Sequence, residues 1–387
     1  MRVLTAGESH GRCLVTIIEG APAGLFLTAT MINEDLAPRQ KGFGRGGRQS
    51  IERDQVQILS GVRHGETLGS PIALLIPNLD WPNWEEAMSV SAPAGRPSHP
   101  VTRPRPGHAD LPGAVKYGRT DIRDILERAS ARETAARCAA GAVAKALLGQ
   151  FGVDIVAYVE AIGGVGSDSA PGDPKALREA RQASPVFCPD PTASGLMVEA
   201  ISKASDSGDT LGGVLVVRAH GLPPGLGSHV HWDRRLDGLL AGALMALNGI
   251  KGVDVGLGFR MAELPGSQVH DPIEVSGHAP WRYSRPTNNA GGLEGGITNG
   301  EPLVLRAAMK PIATMRRPMA SVDMATGQEV LAHHERSDVC AVPSAAVVSE
   351  AIVALVLAGA FQEKFGGDSL REMKRAYDSF LQDLASR

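Results

Sequence analysis

Apolar residues along the chain fall into two rhythms. Short runs rich in Val, Ile and Leu, bounded by Gly or Pro, predict strands over 12–20, 56–61, 72–76, 153–160, 211–219, 253–259 and 303–309. Helices carry a longer period. Leu236, Leu239, Leu240, Ala243, Leu244 and Leu247 follow the i, i+3, i+4, i+7 rule, with Asp233 placed to cap them. Asp121 heads a second pattern through Ile122, Ile125, Leu126 and Ala129 that runs on towards Leu148. Residues 344–364 are apolar on most sides and predict a buried helix. Residues 368–386 are amphipathic through Leu370, Met373, Tyr377, Phe380, Leu381 and Leu384. The elements interleave without a steady β-α-β beat, and no Pro/Ser-rich linker divides them. The reading is one α+β unit over residues 1–387.

Bulk composition narrows the class. Of 387 residues, 43% are hydrophobic and 21% charged, which is the balance of an ordinary globular protein. A net charge of -3 and an aromatic content of 4% argue against nucleic acid and an anionic membrane as partners. The longest apolar run, 351–361, is shorter than the ~20 residues that cross a bilayer. The chain starts without a signal-peptide pattern, and Cys13, Cys138, Cys188 and Cys340 form no pairing motif. Reduced thiols and a cytoplasmic location are expected. Arginine makes up 30 of the 39 basic residues. Codon bias explains such an excess, and so does bidentate grip on phosphate and carboxylate. Where the arginines cluster therefore matters.

Five segments carry chemistry. Gly7-Glu8-Ser9-His10-Gly11 puts a histidine on a glycine-flanked turn ahead of a strand. Arg39 to Arg48 holds Arg39, Lys41, Arg45 and Arg48 among glycines, a set suited to an anion with several oxygens. It lacks the Gly-Lys-Ser/Thr ending of a phosphate-binding P-loop. Arg103-Pro104-Arg105-Pro106-Gly107-His108-Ala109-Asp110 stands two arginines, a histidine and an aspartate on a proline-stiffened loop. Arg128 and Arg132 share a face if their segment is helical, and either an anion between them or pairing with Glu127 and Glu133 accounts for that. Thr287 to Gly300 is too glycine-rich for a strand or helix and suits close approach to a flat ligand. His229-Val230-His231 and His333-His334 lack a third ligand at zinc spacing, so no metal is expected. No nucleophile elbow accompanies Ser9 and His10.

In this order and spacing the segments resemble the chorismate synthase family over nearly the whole chain. Further matching stretches are 60–72, 207–213, 310–314 and 336–340. The resemblance implies a β-α-β sandwich, with helices between two antiparallel sheets, assembled as a homotetramer. It implies a lyase that converts 5-enolpyruvylshikimate 3-phosphate to chorismate and phosphate by 1,4-anti elimination. Reduced FMN is implied as cofactor, with NADPH or a separate flavin reductase as its source of electrons.

The same resemblance distributes roles. His10 matches the proton donor to the leaving phosphate, His108 the histidine beside the reduced flavin, and Asp338 an aspartate that works with the flavin in taking the C6 proton. Arg39, Arg45, Arg48, Arg105 and Arg132 match substrate-binding positions, and Arg39 and Arg45 also match positions associated with NADP. Arg128, Ala129, Ser130, Asn248, Gly249, Gly295, Lys310, Pro311, Ile312, Ala313, Thr314 and Arg336 match the flavin cradle. The segment Glu127-Arg128-Ala129-Ser130 and Gly249 depart from commoner residues of the family. Two other readings share the pocket: an enzyme that also reduces its own flavin with NADPH, and a flavin-binding protein without catalysis.

Overall fold

Residues 1–46, 52–91, 100–275, 281–335 and 337–386 are described in this computed structural model. Alternation of buried and partly exposed residues sets the first sheet. In β2 (Cys13–Glu19) Leu14, Thr16 and Ile18 are buried, and in β4 (Ile72–Pro77) so are Ile72, Leu74 and Ile76. These strands form a four-stranded antiparallel sheet with β1 (Arg2–Ala6) and β3 (Gln57–Ser60), in the order β1-β2-β4-β3. The buried face turns towards α4 (Thr134–Gly149), against which α1 (Ala29–Leu36) also packs. Thr16 lies on that face and satisfies its hydroxyl on the Ala136 carbonyl of α4 at 3.1 Å.

The second sheet has five antiparallel strands in the order β8-β9-β7-β5-β6. They are β5 (Asp154–Ile162), β6 (Val165–Gly166), β7 (Gly213–His220), β8 (Ile250–Val255) and β9 (Leu303–Met309). Its inner face packs on α8 (Val342–Phe365). On the outer face Val156, Tyr158 and Val216 meet Leu177 of α5 (Pro174–Ala183), so β5 is apolar on both sides.

The helices α4 and α8 cross between the sheets, with α7 (Leu236–Met245) also against α8. Small residues let them approach. A Cβ built on Gly141 would stand 2.2 Å from the Ala351 Cβ. One core cluster runs from Leu14 and Ile18 through Ala139 and Val347 to Leu215 and Leu305. This is the β-α-β sandwich expected from the resemblance.

Several expectations are corrected. The helix pattern running from Asp121 breaks into α3 (Arg123–Ala129) and α4, because Ser130 is extended at φ -64, ψ 141 and its hydroxyl accepts from the Arg132 N–H. Asp233 does not cap α7; it lies in the 3₁₀ turn Trp232–Arg234, and Arg235 precedes the helix. The strand expected over 253–259 is β8, shifted towards its start, and Gly258–Glu263 is a 3₁₀ turn. The Thr287–Gly300 stretch does contain a small antiparallel ribbon, Leu293–Glu294 with Ile297–Thr298. The apolar run near the C-terminus belongs to a helix of 24 residues, long enough to cross a bilayer, yet most of it is buried between the sheets.

Candidate active site

The cleft opens at one end of the sandwich. Four features converge there: the β1–β2 turn, the segment after β4, the α3–α4 break and the start of α8. The residues before β8 and after β9 close it. Its volume is about 920 Å³, within the usual range for small-molecule sites.

The β1–β2 turn is built to present His10. Gly7 has φ +104, and a Cβ there would lie 2.3 Å from the Cys13 carbonyl oxygen, so only glycine fits. Asn78, just past β4, donates from Nδ2 to the carbonyls of Gly11 (2.6 Å) and Glu8 (3.1 Å). The Ser9 N–H donates to the Glu127 carbonyl at 3.0 Å. His10 is then held from two sides. Its Nδ1 lies 2.9 Å from Glu127 Oε1, and its ring stacks on Trp84 with centroids 3.9 Å apart.

His108 has a similar backing. Its Nδ1 lies 2.5 Å from Asp110 Oδ1. Asp110 is fully buried at the start of α2 (Asp110–Tyr117) and also accepts from the Arg105 Nε (2.8 Å), Nη2 (3.1 Å) and backbone N–H (3.0 Å). Burial pushes the Asp110 carboxyl up, but the bonds from His108 and Arg105 outweigh it and hold it well below the usual carboxylate range.

The arginines arrive already paired. Arg39 donates to Thr134 Oγ1 (3.1 Å), Asp54 Oδ2 (3.1 Å) and the Ala131 carbonyl (3.2 Å). Arg132 donates to Asn78 Oδ1 (2.9 Å) and to the other oxygen of Asp54, with Glu52 at 3.5 Å. Arg45 pairs with Asp338 Oδ2 at 2.6 Å, and the Gly46 N–H donates to Asp338 Oδ1 at 2.6 Å. Burial pushes the Arg45 guanidinium below its ordinary value although Asp338 opposes this. Among the described lining residues seven Lys and Arg face four Asp and Glu, so the cleft favours anions.

The flavin-cradle candidates Ala129, Ser130, Asn248, Gly249 and Lys310 to Thr314 all line the cleft. Lys310 follows β9, and its N–H donates to the Gly249 carbonyl at 2.9 Å. Its ammonium donates to the Gly107 carbonyl; burial, then nearby Lys251, lowers its proton affinity. Asn248 donates from Nδ2 to the Ala129 carbonyl at 3.0 Å. Its Oδ1 is buried without a hydrogen-bond donor among the described residues, as is Arg45 Nε without an acceptor. An orphan acceptor and an orphan donor in one cleft are what a polar ligand would satisfy.

Some candidates are not brought together. Arg128 and Arg132 do not share a face, because the helix breaks between them. The Arg128 guanidinium turns back onto Thr5 Oγ1 (2.7 Å) and the Gly7 carbonyl (3.0 Å), bracing the His10 turn from outside the cleft lining. Gly295 sits on the small ribbon and is not a lining residue. Arg48 and Arg336 lie outside the described residues. Conversely, Glu127, Trp84, Arg123, Asp54, Glu335 and Lys251 belong to the site or its support without having been singled out for it. Glu335 joins His333 (3.4 Å), Arg123 (3.6 Å) and Arg105 (4.0 Å) across the cleft.

A deep cation-rich cleft holding two carboxylate-backed histidines defines an acid–base enzyme for a small anionic molecule. The comparisons name the family. The family model for chorismate synthase matches residues 1–361. The chain is 58% identical to chorismate synthase of Moorella thermoacetica, covering 99% of this chain and 100% of that protein. It is 56% identical to that of Symbiobacterium thermophilum, covering 100% of both. A crystal structure of a chorismate synthase superposes with a TM-score of 0.80 at 42% identity, over 100% of this chain and 98% of the other. The chain belongs to the chorismate synthase family, carbon–oxygen lyases of chorismate biosynthesis.

Proposed function

We propose that the chain converts 5-enolpyruvylshikimate 3-phosphate to chorismate and inorganic phosphate by 1,4-anti elimination in the presence of reduced FMN. The observation that carries this is His10, backed by Glu127 and stacked on Trp84, in a cleft lined by Arg39, Arg45, Arg105 and Arg132. A phosphate and two carboxylates need several cations, and a departing phosphate needs a proton.

The residues fit a flavin. Asn248 Oδ1 is a buried acceptor suited to a ring N–H, Lys310 is a cation for an anionic end, and Gly249 and Ala313 leave room for a flat ring. Reduced FMN held there would supply transient electron density to the substrate with no net redox change.

The chain's own residues do the rest. The C3–O bond to phosphate breaks, and His10 gives the leaving oxygen its proton from Nε2. His108, oriented by Asp110, would lie on the flavin side of the cleft. Asp338, working with the flavin, takes the C6 proton, and the electrons of that C–H bond end in the new ring double bond. Each Asp338 oxygen accepts one bond, from Arg45 and from the Gly46 N–H, and opening that ion pair frees the carboxylate to take the proton. A substrate anion competing for Arg45 opens it. The working assembly is read as a homotetramer fed with reduced FMN by a separate reductant.

The test mixes purified protein anaerobically with photoreduced FMN and the enolpyruvyl phosphate. Phosphate and chorismate should appear together; neither appearing refutes the reading. Turnover on NADPH and FMN without photoreduction or an added reductase would establish the self-reducing alternative. His10→Ala should cut kcat by roughly 10²–10⁴-fold while FMN still binds.

A further inference from the structure

Glu127 is the most constrained carboxylate around His10. It lies at the end of α3 with a side chain 2% exposed. A carboxylate that deep is held only by compensating donors. His10 contributes two: its Nδ1, 2.9 Å from Oε1 and 3.1 Å from Oε2, and its backbone N–H, 2.7 Å from Oε2. Arg123, four residues back on the same helix face, contributes a third at 3.0 Å on Oε1. Arg123 also lies over the Trp84 ring at 5.0 Å, and Trp84 stacks on His10 and donates from Nε1 to Asp80 at 3.1 Å. The imidazole is therefore fixed at its Nδ1 edge, on one face and at its backbone.

We propose that Glu127 is a positioning residue of the reaction, acting through His10. An acceptor-only carboxylate at Nδ1 makes that nitrogen the one that keeps its proton. Nε2 is then the atom that gives up a proton. The pair accommodates the imidazolium and the neutral Nδ1–H ring without moving an atom, so nothing reorganises as the proton leaves. An amide in place of the carboxylate cannot do this. It has one acceptor oxygen for three donors, so its NH2 must face Nδ1, the His10 N–H or Arg123. Facing Nδ1, it selects the Nε2–H tautomer, which would have to become an imidazolate to release its proton.

The inference rests on His10 as the proton donor, and the experiment separates the two. Glu127→Gln, Glu127→Asp and His10→Ala are assayed as full-length holoenzyme, alone and combined, for kcat, KM and FMN affinity. Glu127→Gln should lower kcat by roughly 10²–10⁴-fold. KM and FMN affinity should stay within about twofold. Glu127→Asp keeps the charge and should recover at least about tenfold of that loss, the scale of supporting hydrogen bonds. In the His10→Ala background, Glu127→Gln should add less than about twofold, because the two act as one unit. A loss of equal size in that background, or a change in KM with kcat retained, overturns the proposal. Near-normal turnover of His10→Ala would instead refute the role of His10 itself. If Glu127→Gln does not fold, Glu127→Asp runs the same cycle: a kcat loss that vanishes without His10 supports positioning, and one that persists overturns it.

Discussion

Gly141 and Gly195 are both helical glycines, yet alanine at the two sites should have opposite effects. At Gly195, within α6 (Pro191–Ser207), an added Cβ meets nothing within 4 Å. Removing glycine from a helix interior there should stabilise by about 0.5–1 kcal/mol. At Gly141 the Cβ would lie 2.2 Å from the Ala351 Cβ, 2.5 Å from its Cα and 2.9 Å from its carbonyl oxygen. Carbon atoms pack at about 3.5–4.0 Å, so α4 and α8 must part by about 1.5 Å. The obstacle is backbone and Cβ, with no flexible side chain to yield. The overpacking cost belongs at the top of its range, about 3 kcal/mol, and helix propensity returns about 1. The net loss at Gly141 is about 2 kcal/mol, and the two variants should differ by about 3. Denaturant unfolding followed by tryptophan fluorescence reads this as midpoints moving in opposite directions at constant m. Activity should follow, because Ser344 at the start of α8 donates to the Arg39 carbonyl at 2.7 Å. Gly141→Ala should thus lower kcat/KM while Gly195→Ala leaves it unchanged. A Gly141→Ala midpoint at or above wild type would refute the close-crossing argument.

Two further expectations concern buried polar groups. Glu350, in α8, is paired with Lys145 at 2.9 Å and with Arg181, and it accepts from the Ala157 N–H at 2.7 Å. Burial raises its carboxyl, but the cations win and hold it at about 2, against 4.5 ordinarily. A depressed carboxylate stabilises the fold above its unfolded value, and that stability is lost as pH falls from 4.5 towards 2. Glu350→Gln should cost about 3–5 kcal/mol at neutral pH, and the deficit should shrink over that acid window. Unfolding at neutral and acid pH checks it, and a deficit independent of pH would refute the pairing. Asn248→Leu removes the orphan acceptor from the cleft, so FMN affinity should fall about tenfold if that oxygen takes a flavin N–H. Flavin fluorescence titration reads it, and unchanged affinity would withdraw Asn248 from the cradle.

Local pattern made much of the frame legible. Residues 303–309 are β9 as expected, and the apolar run beyond 344 is the central helix, because period and β-branched content report burial directly. The α3–α4 break was not legible, since Glu127 to Glu133 contains nothing that forbids a helix. A local bond and a tertiary one impose it: the Ser130 hydroxyl accepts from the Arg132 N–H two residues on, and Arg39 donates to the Ala131 carbonyl from 92 positions away. His10 was visible as a histidine between glycines, but its carboxylate was not. Glu127 reads locally as one more charge beside Arg123 and Arg128, and its contact with His10 spans 117 positions. Asp54 was equally hidden, as no local signal ties it to Arg132 across 78 residues. The flavin candidates around Asn248 came from resemblance alone.

The pairing of the arginines bears on how the site works. Arg39 and Arg132 share the two oxygens of buried Asp54, and Arg105 is held by Asp110. These side chains are rigid before any ligand arrives, so an anion binds on their remaining N–H edges without the cost of ordering them. Arg45 differs. Its carboxylate partner is Asp338, a candidate for the chemistry itself, and its Nε has no acceptor among the described residues. If substrate draws Arg45 away, arrival of the anion and release of Asp338 are one event. Asp338→Asn then removes the competitor for Arg45. Substrate should bind tighter, by about tenfold for one charged hydrogen bond no longer opposed, even as kcat collapses. Calorimetric titration of the enolpyruvyl phosphate into the variant with oxidised FMN measures the first effect, where no turnover intervenes. Weaker binding by Asp338→Asn would mean that the ion pair orders Arg45 for the substrate, and the opening step would have to be abandoned.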